Sequence, residues 1–424
     1  MIQDTLKHST YTSANLNINT FFFRLISSIN RQTFLKINLM LLLSFYTVAA
    51  QSFKVVVPRI NGIEIEMGES IHIPAPKPVK TALAFQFKDG RIVVGSGDNS
   101  MWSYDKGHTW IPGPESPGEK VIIDLGGGEI LSIGRNSKRR PDGKFTLRQR
   151  RSLDNWKTVV TEESELDIPQ ASFTVTGSGD RVDGFLFHHG ILHLDNGMLI
   201  GAMYGNYQGD VQLCDGYPAE LNQRKYRTIV VFSEDKGHTW SNPVLVAYDK
   251  MLGRGIPEDY SMLGKSIPAS YASKTTIVPA ITQEGFREAD LAQAPNGDLI
   301  CVMRSGGRNP VPEANLFPTP LYCSRSTDNG KSWTPPIQIA DRGVCPNLVT
   351  MRNGIIVCTY SRPGNWLIFS LDNGKTWTGA FQFGTTGSYN YILEVEPDII
   401  QVYHEVGNNN DRVLFGTFFT VKKR

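Results

Sequence analysis

Three stretches of the chain set polar and ionisable side chains at spacings that could do chemistry. HHGILHLDNG carries His188, His189 and His193, and strand alternation puts His189 and His193 on one face. Imidazoles ligate metals, but a site needs a third donor and outer support. No acidic or cysteine residue stands nearby at a telling spacing, so no metal is expected there. The run continues into MYGNYQGD, where Tyr204, Tyr207 and Asp210 offer rings to stack on a sugar and a carboxylate for its hydroxyls. SKRRPDGKFTLRQRR, residues 137–151, is strongly basic and could meet an anionic polysaccharide; its alternation also fits a solvated hairpin with Arg148 and Arg150 outward. The Gly126-Gly127-Gly128 triplet is no phosphate loop, since no helix and no Lys-Ser/Thr pair follow it.

The elements that would position such groups repeat along the chain. An octapeptide of the form S-x-D-x-G-x-[ST]-W occurs at 103–110, 233–240, 326–333 and 370–377. A degenerate copy, SLDNWKTV, places Trp156 where the others have Gly. Asp and Ser can bond backbone amides across a tight turn, Gly supplies a positive φ, and Trp fills the space between sheets. The box is therefore a hairpin staple. A second repeat of turn plus β-rich run starts at KDGRIVV, GGGEILSI, DNGMLIGAM, PNGDLICVM, RNGIIVCTY and EPDIIQVYHE. These six hairpin signals, with no long amphipathic helical pattern, predict six small antiparallel sheets packed radially. Phe53–Val57 and Val413–Val421 are expected to pair and close the ring.

Composition narrows the class. The 424 residues carry 43 Lys+Arg against 41 Asp+Glu, a near balance that argues against a whole-chain nucleic-acid binder. Five cysteines are too few for a disulfide scaffold. Residues 37–48 form a short apolar run, preceded by Arg31 and Lys36 and followed by Val48-Ala49-Ala50, as in an export signal. Cleavage is expected after Ala50, leaving residues 51–424 as one propeller domain with no membrane anchor, since Gln51 is not a lipid-accepting Cys.

The octapeptide is similar to the Asp box, or BNR repeat, and residues 51–424 as a whole resemble the sialidase (neuraminidase) superfamily. The fold this implies is all-β: a six-bladed β-propeller of four-stranded antiparallel sheets with Asp-box hairpins. Members hold a substrate carboxylate with three arginines and use an Asp acid/base and a Tyr nucleophile activated by a Glu. Chemistry explains the choice. The sugar's carboxylate repels an anionic nucleophile, a phenol stays neutral until a base takes its proton, and arginine forks match a planar carboxylate. EADLAQAPNGDLICVMR resembles the segment running from the activating Glu, here Glu288, to the second Arg, here Arg304. Arg362, in SRPG, stands near the place of the third Arg. GSYNYILEVEPDIIQVYHE resembles the nucleophile segment, with Tyr389 as the match and Tyr391 as the alternative two residues on. Aligning the turn at Gly90 puts Lys80 where the first Arg stands, and Asp98, the sole Asp between that turn and the first octapeptide, matches the acid/base.

The resemblance implies a retaining exo-glycosidase that removes a terminal acidic sugar, most simply sialic acid, from a glycan and needs no cofactor. Lys80 keeps the charge of an arginine but not its fork. A non-catalytic carbohydrate-binding propeller, or a hydrolase or lyase acting on uronic-acid polysaccharide, therefore remain as alternatives.

Overall fold

The computed structural model describes residues 60–76, 83–95, 99–117, 121–176, 179–214, 222–248, 284–306, 320–340, 343–362, 364–385, 389–407 and 412–424, all within one compact unit, Lys54–Arg424. Among them every regular element is a β-strand. Strands follow from runs such as IVV, TIVVF and LICVM, where β-branched and apolar residues sit between glycine turns. Gly90, Gly197, Gly297 and Gly354 all take positive φ there, as the last residue of a three-residue hairpin loop requires.

Four sheets have four strands each. Arg287–Gln293, Leu299–Arg304, Leu321–Ser326 and Ile337–Ala340 form one, and Val344–Thr350, Ile356–Ser361, Asn365–Ser370 and Thr378–Gly384 another. Ala84–Gln86 opens a third, which ends at Ile111–Pro112. In the fourth, Tyr391–Glu396, Ile399–Val406 and Val413–Lys423 are completed by Ile63–Ile73. The rest differs from the expected six separate sheets. Residues 121–247 form one nine-stranded sheet, seven strands of which close into a ring. Two contacts merge it. Thr239 and Trp240 pair in parallel with Glu165 and Leu166, and the long strand Arg181–His193 reaches back to Glu129–Arg139.

The closing strand is also not the expected one. Ile63 pairs with Lys423 and Ile73 with Leu414, whereas Phe53–Val57 lies outside the described residues. The sequence IEIEMGESIHI alternates apolar with polar, the pattern of a strand buried on one face only. The VVV run of residues 55–57 is more apolar but lacks that alternation.

Each octapeptide loop is stapled alike. In the 233–240 copy, Gly237 N–H donates to Ser233 Oγ at 2.8 Å, Thr239 N–H to Asp235 at 2.9 Å and Trp240 Nε1–H to the Gly237 carbonyl at 3.2 Å. Trp240 is thereby buried against Phe187, contributing about 2–3 kcal/mol by area. The degenerate copy keeps the Ser152 and Asp154 bonds but holds Trp156 at φ 68°. Part of the basic run 137–151 pairs with acidic residues of neighbouring strands. Arg140 and Lys144 reach Glu165, and Arg151 reaches Glu162 and Glu129.

Six strands, Ala84–Gln86, Val121–Gly126, Arg181–His193, Arg287–Gln293, Val344–Thr350 and Tyr391–Glu396, send residues into a shared cavity of about 330 Å³. The site lies at the ends of these strands and of the strands paired with them.

Candidate active site

Three of these strands break their ladders at matching places. The register slips between Phe187 and Ile191, between Arg287 and Asp290, and between Val344 and Asn347. A bulge inserts an extra residue and turns neighbouring side chains to one side. Glu288 and Cys345 sit in these bulges at φ 49°, and Arg362 follows a strand end at φ 60°. Left-handed backbone on non-glycine residues costs of order 1 kcal/mol or more each, and such strain gathers at functional sites.

Glu288 is the centre of the group. Its Oε2 accepts from Arg304 Nη1, and Arg287 Nη1 stands 3.8 Å from Oε1. The Tyr389 hydroxyl points at Oε1 from 3.5 Å, a long contact of the kind that tightens when substrate binds. Arg362 lies over the Tyr389 ring, 4.9 Å from its centre. Arg304 is anchored by its Nε–H to the Gly306 carbonyl at 2.5 Å, and Arg287 by Glu284 at 2.5 Å. The structure therefore brings Glu288, Tyr389, Arg304 and Arg362 together across three sheets.

Charge sets the protonation of the pair. Burial alone would raise the Glu288 carboxyl, but Arg304 and Arg287, then His188, hold it well below the usual range. Glu288 in turn, followed by burial, raises the Tyr389 phenol above its ordinary value. At neutral pH the resting pair is thus carboxylate and neutral phenol. Tyr391 does not share this position: its ring packs edge-on against His189, and burial raises its phenol further still.

Other expected site residues stand elsewhere. Lys80 and Asp98 lie outside the described residues. Tyr204 is not a stacking platform, because its ring is only 1% exposed and sits edge-on to Tyr226. Its hydroxyl instead accepts from Arg135 at 2.6 Å. Asp210 is not presented to a sugar either. Its buried carboxylate is taken up by the Arg227 fork and the Tyr207 N–H.

Four residues join the group without having been singled out for it. Arg135 is mostly buried and its charge couples to Tyr204, Glu288 and Arg287. Arg287 pairs with Glu288 as above, and His188 packs beside Tyr389 with ring centres 6.0 Å apart. Glu405 is raised to about 7 by burial, against the opposing pull of Arg412 and Arg362. A signal for two of them was present. Arg135, Tyr204 and Arg304 each stand seven residues after the turn glycine of their repeat, and Glu405 stands seven after Asp398 of the last turn. Equal spacing from equivalent turns delivers them to equivalent positions along their strands.

No protein-family profile and no curated protein matches the sequence. Solved structures do. A protein of unknown function from Dyadobacter fermentans superposes at TM-score 0.56, with 16% identity over 86% of this chain and 100% of that one. The GH93 alpha-L-arabinofuranosidase of Fusarium graminearum does so at 0.52, with 13% identity over 83% of this chain and 97% of the other. A Hadza microbial sialidase, Hz136, aligns at 0.48, with 15% identity over 82% and 66%. The fold is that of a β-propeller shared with the first two of these structures. At these identities the likeness is one of fold, and a propeller of this kind takes its chemistry from its own site.

Proposed function

We propose that this chain is an exported retaining exo-glycosidase that removes a terminal acidic sugar, with sialic acid as the first candidate. The supporting observation is the Tyr389 hydroxyl facing the Glu288 carboxylate inside a cluster of arginines. Such a cluster favours an anionic substrate, and a neutral phenol is the nucleophile such a substrate tolerates. The six strands around the axial cavity are then the inner strands of six blades, with the nine-stranded sheet as two blades merged at an outer edge. Residues 1–50 serve as the export segment.

In the resting site Glu288 is a weak base because two arginines neutralise it. A sugar carboxylate arriving at Arg304 and Arg362 competes for that charge and raises the proton affinity of Glu288. Tyr389 then passes its proton to Glu288 as its oxygen bonds to the anomeric carbon, and the leaving oxygen takes a proton from Asp98. Water later cleaves the glycosyl–tyrosine bond with Asp98 as base, and Glu288 returns the proton to Tyr389. Lys80 adds a further positive charge for the carboxylate.

A second assignment of the acid follows from Glu405, whose carboxyl, raised to about 7, would be partly protonated at neutral pH. Sugar release from a panel of sialylated and uronic-acid glycans, read by mass spectrometry, tests the whole scheme. Wild type should release an acidic monosaccharide, while Glu288→Gln should not. No release from any acidic glycan would contradict it, and an unsaturated product would identify a lyase. Loss of activity in Asp98→Asn or in Glu405→Gln, restored with an activated aryl leaving group, would identify the acid.

A further inference from the structure

The bulge that carries Cys345 brings it to a place no spacing along the chain announces. On a regular strand His188 and His189 would point to opposite faces. The slipped register between Phe187 and Ile191 instead brings their rings to 3.9 Å, centre to centre, tilted at 38°. Cys345, 156 residues from His189, enters from the bulge on the far side of Arg287–Gln293, with its Sγ 3.8 Å from His189 Nδ1. One donor atom from each of the three residues lies within 4.8 Å of the others. All three side chains are buried.

We infer that His188, His189 and Cys345 form a binding site for a single soft divalent cation, zinc in the first instance. The donor set decides the class of ion. One thiolate and two imidazoles suit zinc, whereas calcium and magnesium want oxygen ligands. Tetrahedral bonds of about 2.0–2.3 Å place ligand atoms roughly 3.3–3.8 Å apart, so the Cys345–His189 separation already fits and the widest pair closes by about 1 Å. On binding, the Cys345 thiol loses its proton to solvent as the sulfur–metal bond forms, and each imidazole ligates through one neutral ring nitrogen. Three protein ligands leave a fourth position for water or another oxygen donor. The cluster adjoins the proposed catalytic pair, since His188 packs beside Tyr389 and His189 beside Tyr391. A bound ion would tie together the two bulged strands that flank Arg287–Gln293, next to that pair. The site stands whether or not the sugar assignment does.

The test uses the untagged full chain, stripped with a chelator and titrated with Zn²⁺ and with Co²⁺ as a spectroscopic probe. One equivalent of each should bind, and the cobalt form should show a thiolate-to-metal charge-transfer band with tetrahedral d–d intensity. Cys345→Ser should abolish the thiolate band and His189→Ala should weaken Zn²⁺ binding more than about tenfold. Cys214→Ser, a buried cysteine elsewhere in the chain, should leave both unchanged. Absence of stoichiometric binding to wild type would overturn the inference. So would a cobalt spectrum without the thiolate band, or a folded Cys345→Ser chain that keeps it.

Discussion

Glu288 illustrates how a single residue takes its character from placement. On an ordinary strand its side chain would share a face with Asp290 two positions on. The bulge breaks that alternation and sets it between Arg304 and Arg287, facing Tyr389. Removing the charge while keeping the shape should therefore destroy turnover and spare the fold. Glu288→Gln and Tyr389→Phe are each expected to lower kcat by roughly 10²–10⁴ with unchanged circular dichroism. Wild-type turnover in both variants would remove the pair from the mechanism. Arg135 makes a separate residue-scale prediction. Its charge couples to Glu288 from a neighbouring sheet, so Arg135→Gln should raise KM for an anionic substrate about tenfold. Arg140→Gln, which loses surface pairs with Asp142 and Glu165, should not. Equal KM values for the two variants would deny Arg135 a part in substrate binding.

At the scale of elements, the octapeptide loops hold the strand ends. Asp235 accepts from Thr239 N–H and from Thr239 Oγ1–H, and Ser233 adds a bond of its own to the Gly237 amide. Asp235→Ala should cost about 1–3 kcal/mol in urea unfolding, against less than about 0.5 for the exposed turn residue Asp195→Ala. Equal costs would mean that the staple adds nothing beyond the turn. This is also the scale at which the sequence was most legible. The octapeptides and turn glycines mark the hairpins because a tight turn needs particular residues at fixed offsets. The bulges left no such mark: the slip at Arg287–Asp290 is invisible in READLAQ, where every residue but the last is buried. The joining of Cys345 to His188 and His189 was equally hidden, because only packing between sheets brings residues 156 apart in sequence together.

Two buried carboxyls of the molecule are raised far enough to hold a proton into the neutral range. Asp290 is fully buried on the axial cavity and pushed up to about 7, even with bonds from Leu291 N–H, Leu348 N–H and Asn347. Glu405 is likewise pushed up to about 7. Unfolded, both carboxyls would titrate near 4, so the native state binds more protons between about pH 4 and 7. The stability they contribute is fully present below pH 4 and is lost as pH rises through 7. Other carboxylates, such as Asp154 and Asp328 at about 2, act in the opposite direction only below about pH 4. Buried His404, lowered to about 4, opposes this trend up to about pH 6.5, so denaturant unfolding should show stability falling most clearly between about pH 6.5 and 8, with a flatter slope in Asp290→Asn. An unchanged slope in that variant would place the proton elsewhere. Ring closure belongs to this scale too. Which strand completes the last sheet was not legible, because both candidates are β-prone and the choice depends on which face its partner leaves open.

The most direct test of the central claim is to trap the glycosyl intermediate. The chain would be incubated with 2,3-difluorosialic acid, and the adduct located by peptide mass spectrometry. A single sugar on Tyr389, absent in Tyr389→Phe, is the predicted result. An adduct on Glu288, or an unmodified chain after long incubation, would contradict it.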